Sequence, residues 1–225
     1  HIYYMNIISN NCLGGYIYRD FKLQYNTPFI WCKIKEDSFI PLLENLYKID
    51  FNNYELKKNG NELKDGFHIL IENKIRLYYT HYHFDQNSAE LKIDGINVFY
   101  NKIWEYIVEK YEKRLKRFNK SDEICIAVED FPQCPYNVNK ILDICIRNNW
   151  KIILITKQKI KSNYDKLLLL NHYTNINEPH VYVEAYKNEI LNFCNINLFT
   201  YILFISASQV NLHDRALVLN TSFHQ

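Results

Sequence analysis

The chain has 225 residues, with 27 basic side chains against 25 acidic ones for a net charge of +2. A balance this close to neutral offers no global electrostatic case for a nucleic-acid partner. No apolar run approaches the roughly 20 residues of a membrane-spanning helix. Apolar types make up 48% of the chain, but 19 of them are tyrosines, each with a hydroxyl that needs water or a partner.

The length suits one large domain or two small ones. Polar residues and a glycine between Asp85 and Gly95 suggest parts at 1–90 and 91–225, or one compact unit. Six cysteines (Cys12, Cys32, Cys125, Cys134, Cys145 and Cys194) are scattered without the spacing of a secreted disulfide framework. That favours reduced thiols and a cytoplasmic location. The apolar stretch at the N-terminus is short and interrupted by Asn6, unlike a signal peptide.

In chain order, residues 1–9 are rich in β-formers and read as a strand, followed by a loop at Ser9–Gly15. A helix begins near Tyr16, Asn26-Thr27-Pro28 marks a turn, and 29–34 reads as a short strand. Ser38 is a candidate helix cap, with Pro41 near the helix start and an apolar face from Phe39, Leu42, Leu43 and Leu46. Short extended segments follow at Tyr54, at 68–70 and at 75–79. The strongest helical pattern runs over 98–119, with Ile103, Ile107, Tyr111, Leu115 and Phe118 on one face. A continuous apolar strand at 124–128, an amphipathic helix at 138–149 and a second apolar strand at 150–156 make a strand–helix–strand unit. Continuous apolar strands between amphipathic helices indicate a sheet buried on both faces. The expected class is therefore α/β: a mostly parallel or mixed sheet flanked by helices, Rossmann-like and three-layered. Strands at 181–186 and 201–205 and a helix at 187–194 complete the reading.

Candidate chemistry centres on Ser9–Gly15. In open α/β sheets, ligands gather at the carboxyl ends of strands. Gly14 and Gly15 permit close backbone approach, so loop amides could hold a phosphate or a developing oxyanion. Asn10 and Asn11 add donors and acceptors. Cys12 is a candidate nucleophile, provided that its pKa is lowered. The loop lacks both GxGxxG spacing and the lysine of a P-loop, so no cofactor is named. His81, His83 and Asp85 alternate along an extended segment. His81 is a candidate base beside Tyr82, and a metal site would need a further ligand that the sequence does not place. Lys113, Arg114 and Arg117, near the end of the long helix, could bind a substrate phosphate or sulfate. Glu129-Asp130 follow the strand at 124–128, and Asp130 is a candidate acid or base.

Three blocks carry a family resemblance. They are Ser9–Gly15 with Tyr18-Arg19-Asp20 and Tyr25-Asn26-Thr27-Pro28, then His81-Tyr82, then Lys110-Tyr111-Glu112-Lys113-Arg114-Leu115-Lys116-Arg117. The chain resembles an uncharacterised bacterial family labelled exopolysaccharide or capsular polysaccharide biosynthesis protein. It departs from that pattern at Tyr111, where tryptophan is usual, and at Leu13, where an aromatic is usual. The resemblance implies an α/β fold, a shared pocket including Arg19, and a transferase acting on a surface-glycan precursor. It leaves open a non-catalytic protein that binds a nucleotide-sugar or an anionic glycan. The enzyme reading expects Cys12, His81 and Arg114 to converge in one cleft.

Overall fold

The computed structural model describes residues 5–58, 67–79, 90–93, 96–99, 103–130, 135–171 and 179–195. Four parallel strands form its centre: β1 (Met5–Ser9), β7 (Glu123–Glu129), β8 (Lys151–Thr156) and β9 (Leu167–Asn171), adjacent in that order. Ile7 pairs with Cys125, Ala127 with Ile153, and Leu154 with Leu169. A second sheet is antiparallel, built from β2 (Tyr54–Lys58), β3 (Phe67–Ile71) and β4 (Ile75–Tyr79). A separate hairpin pairs β5 (Glu90–Ile93) with β6 (Ile96–Phe99).

Alternation along the parallel strands builds two cores, because successive side chains point to opposite faces. Ile8, Ile126, Val128, Ile152 and Leu154 pack with α2 (Glu36–Asn45), α4 (Val138–Asn148) and the antiparallel sheet. Ile7, Cys125, Ala127, Ile153 and Ile155 pack with α1 (Leu13–Asp20), α5 (Pro179–Ala185) and α6 (Lys187–Phe193). Burial of both faces is why β7 and β8 read as continuous apolar runs. The expected α/β three-layer architecture is present, as parallel and antiparallel sheets flanked by helices. Because β1 pairs with β7, residues from before and after residue 90 pack together in both cores.

Several boundaries differ from the sequence reading. The long helix is shorter: α3 spans Ile103–Leu115, and Val98 and Phe99 belong to β6. At 29–34 there is only one isolated bridge, between Lys33 and Tyr78. Helix α2 starts before Ser38: the Lys35 carbonyl accepts from the amides of Ser38 (3.0 Å) and Phe39 (2.7 Å). Glu36 and Asp37 occupy its first turn, where the helix dipole favours acids. Pro41 thus sits in the helix interior, where it removes one ladder hydrogen bond.

The segment 181–186, expected as a strand, lies in helix α5. Pro179 opens it at the first helical position, where its fixed φ and missing N–H cost little. Tyr182 and Val183 bury side by side against α1, overriding the β preference of Val181 and Val183. The strand at Leu167–Asn171 has no counterpart in the sequence reading, because four consecutive leucines carry neither helical nor alternating periodicity. The expected strand at 201–205 lies outside the described residues.

Candidate functional site

Ser9, Glu129 and Thr156 end three neighbouring strands, so their side chains and those just beyond gather at the carboxyl edge of the sheet. The Asn10 amide ties the first two strands together: its Nδ2 donates to the Glu129 carbonyl (2.8 Å), and the Glu129 amide donates to its Oδ1 (3.1 Å). The side chain thereby extends the ladder one step past the end of β1. Asn11 Nδ2 donates to Glu129 Oε2 at 2.8 Å. Its Oδ1 accepts from the Leu13 amide at 2.9 Å, turning the chain into α1.

Ser9 works inside the same turn. Its Oγ donates to the Asn11 carbonyl and accepts from the Gly14 amide at 3.1 Å. The amides of Leu13 and Gly14 are therefore committed to the chain's own oxygens, which removes two donors from the oxyanion cradle expected of this loop. The glycines serve packing instead. A Cβ on Gly15 would lie 2.6 Å from the Trp31 ring, and one on Gly14 would lie 3.1 Å from the Ser9 Cβ. Trp31 reaches this position from a left-handed backbone conformation, φ 60°.

Cys12 is the N-cap of α1 and is 8% exposed. The helix dipole at this end favours a thiolate. Burial dominates: desolvation, reinforced by the Glu129 charge, pushes the thiol up to about 12. That is the reverse of the activation the nucleophile expectation required. Glu129 is fully buried, and desolvation pushes its carboxyl up to about 7, against the opposing hydrogen bond from Asn11. A carboxyl poised near neutrality takes and gives a proton at physiological pH.

Asp130 has a different setting. Its Oδ1 accepts from the Tyr136 amide (3.1 Å), and its Oδ2 accepts from Thr156 Oγ1 (2.8 Å) and Gln158 Nε2 (2.7 Å). Three donors hold it as a brace between β7, β8 and the start of α4. Sequence reasoning named Asp130 as the acid or base, whereas Glu129, one residue earlier, is the strand-end acid whose carboxyl burial raises. It also missed Thr156 and Gln158. Thr156 was legible by the rule that pointed to Glu129, since it too ends a buried strand.

The remaining candidates are dispersed. Arg19 is exposed near the far end of α1, about 10 Å along the helix axis from Cys12. It pairs with Asp20 at 2.6 Å and stacks 4.6 Å from the Tyr16 ring centroid. Lys113 is exposed and pairs with Glu109. Arg114 is buried, and its Nη1 donates to the Ile30 carbonyl at 3.1 Å. The buried Cys32 thiol is pushed up by burial first and by Cys12 next, with Arg114 opposing. Arg117 donates through Nε to the Tyr25 carbonyl at 2.8 Å. His81, Tyr82, His83 and Asp85 lie outside the described residues.

Among the described residues, no three His, Cys, Asp or Glu side chains are grouped to hold a metal ion. Likewise, no described helix is long and apolar enough to cross a membrane. A groove of about 900 Å³ opens near the start of β7, at the other end of that strand from Glu129. Phe51, Tyr54, Glu112, Phe118 and Lys120 line part of it.

Residues 3–206 match the family model described as Domain of unknown function (DUF1919). The chain belongs to this family. The match spans the parallel sheet, the Ser9–Gly15 loop and all six described helices of the DUF1919 chain. No curated protein matches it.

Proposed function

We propose that the carboxyl edge of the parallel sheet is an acid–base site, and that the protein transfers an activated group to a hydroxyl of a surface-glycan precursor. The observation that carries this reading is the Glu129 carboxyl, raised to about 7 beside Asn11 and Cys12 at a strand end. Ionised Glu129 takes the proton of the acceptor hydroxyl. The hydroxyl oxygen then bonds to the transferred carbon, and the bond from that carbon to its leaving group breaks, the electron pair departing with the leaving group. Asn10 and Asn11 position the carboxylate, and Cys12 is a wall of the site rather than its nucleophile. The glycan substrate class comes from the resemblance in the Ser9–Gly15 and Lys110–Arg117 blocks.

The test is incubation with nucleotide-sugars or acyl thioesters as donors and a hydroxyl-bearing glycan as acceptor, with products read by mass spectrometry. Turnover is expected to rise through about pH 7. Glu129→Gln should lower it by about a hundredfold or more, the usual contribution of a general base, whereas Cys12→Ser should retain most of it. Turnover unchanged in Glu129→Gln refutes the assignment.

A second reading, a non-catalytic binder of a nucleotide-sugar or anionic glycan, is favoured by one observation. The Leu13 and Gly14 amides and both Asp130 oxygens are already bonded within the chain, so they are not poised to polarise a substrate. Saturable binding of the same donors without product, unchanged by Glu129→Gln, selects this reading.

A further inference from the structure

Arg114 is only 7% exposed, yet among the described residues its guanidinium meets one carbonyl and one aromatic ring. The carbonyl is that of Ile30, and the Tyr25 ring centroid lies 5.4 Å from the guanidinium carbon. A guanidinium has five N–H donors and a permanent charge. Burying such a charge is costly unless it is paired and hydrogen-bonded. Neither Arg114 nor Arg117 makes an ion pair with a carboxylate among the described residues, where the acids that do pair are Asp20, Glu44, Glu55, Glu109 and Glu123.

A second guanidinium stands beside the first. The Arg117 amide donates to the Arg114 carbonyl at 3.0 Å, so the helical turn continues past α3. Residues three apart on a turn have Cβ atoms about 5–6 Å apart. Both side chains reach the same covering segment, Arg114 at Ile30 and Arg117 at Tyr25. Asn26, next in the chain to Tyr25, is buried with its Oδ1 lacking a hydrogen bond. Turning that amide over would present Nδ2 as a further donor. The helix dipole accounts for the exposed Lys113 and Lys116 at this end of α3. It does not account for a buried arginine held next to another arginine with no ion-paired carboxylate among the described residues.

We propose that Arg114 and Arg117 form a binding site for a phosphate-class oxyanion, on the face of the 25–30 segment that packs against α3. Arg114 supplies its unused N–H fork from inside, and the exposed Arg117 closes the site from the solvent side. Lys113, held by Glu109, takes no part. The lowered pKa of Arg117, caused by desolvation and then by the Arg114 charge, agrees with two like charges in one place. This inference stands independently of the acid–base reading, and Glu129→Gln should leave it unchanged.

The probes are inorganic phosphate, pyrophosphate and a nucleoside diphosphate, titrated calorimetrically at matched ionic strength, with Tm followed in parallel. The wild-type chain is expected to bind one anion and to gain Tm. Arg117→Gln should fold normally, since Arg117 is exposed, and should bind at least tenfold more weakly. Arg114→Lys should also bind more weakly, because an ammonium cannot reproduce the fork. Tighter binding of the nucleoside diphosphate than of phosphate supports an organic phosphate ligand, and equal binding supports free phosphate. Absence of binding to the wild-type chain, or equal affinity in Arg117→Gln, overturns the proposal and leaves both arginines as packing residues.

Discussion

The side chains that close the site act through desolvation more than through direct charge pairing. Asn10 shows how much one residue can carry: its amide satisfies both the N–H and the C=O of Glu129 across two strands. Asn10→Ala would leave both groups buried and unpaired. At about 1–3 kcal/mol for each orphaned group, a loss of roughly 2–6 kcal/mol is expected in urea unfolding. Gly15 is fixed by volume. Gly15→Val places carbon atoms inside the Trp31 ring's space and should lower stability by about 1–3 kcal/mol, the usual cost of overpacking. Cys12 should resist alkylation at pH 8 in the folded protein and react only on unfolding, because its thiol is raised to about 12. Rapid stoichiometric labelling of Cys12 in the native chain contradicts this. The sequence placed Asn10, Asn11, Gly14, Gly15 and Cys12 in one loop. It did not reveal that the loop's donors are consumed internally, because that depends on where Ser9 Oγ and Asn11 Oδ1 point.

At the scale of elements, local signals were strongest where capping and periodicity agree. Helix α4 is the clearest instance. Asn137 Oδ1 accepts from the Lys140 amide at 3.1 Å, and Asn149 ends the helix in the left-handed conformation at φ 57°. Asn137→Ala should cost about 1 kcal/mol in chemical unfolding, the usual worth of an N-cap. Asn149→Val should also destabilise, since a β-branched residue is strained at positive φ. Helix α5 and strand β9 were illegible for the converse reason. Their composition favours another state or none, and their form follows from packing on α1 and β8.

Across the whole molecule, the pH dependence of folding should carry the mark of Glu129. Its carboxyl rises from an ordinary 4.5 to about 7 on folding, so the native state binds the proton more tightly than the unfolded chain. The associated stability is fully present below pH 4.5 and is lost as pH rises through about 7. Each tenfold gain in proton affinity is worth about 1.4 kcal/mol, so the whole change amounts to about 3 kcal/mol. Glu129→Gln should therefore stabilise the protein at pH 8 relative to wild type and do little at pH 5. Parallel urea titrations at the two pH values measure the difference, and equal effects at both would contradict it. The three-layer class was readable in the linear chain, because two continuous apolar strands around an amphipathic helix can satisfy their burial only inside a covered parallel sheet. The same periodicity located the carboxyl edge and its loop. Which acid is poised, and which arginine is buried with no carboxylate ion-paired to it among the described residues, depended on tertiary packing. Those properties arise from desolvation and from contacts between residues far apart in the chain, such as Asn11 with Glu129 and Ile30 with Arg114, and no local pattern encodes them.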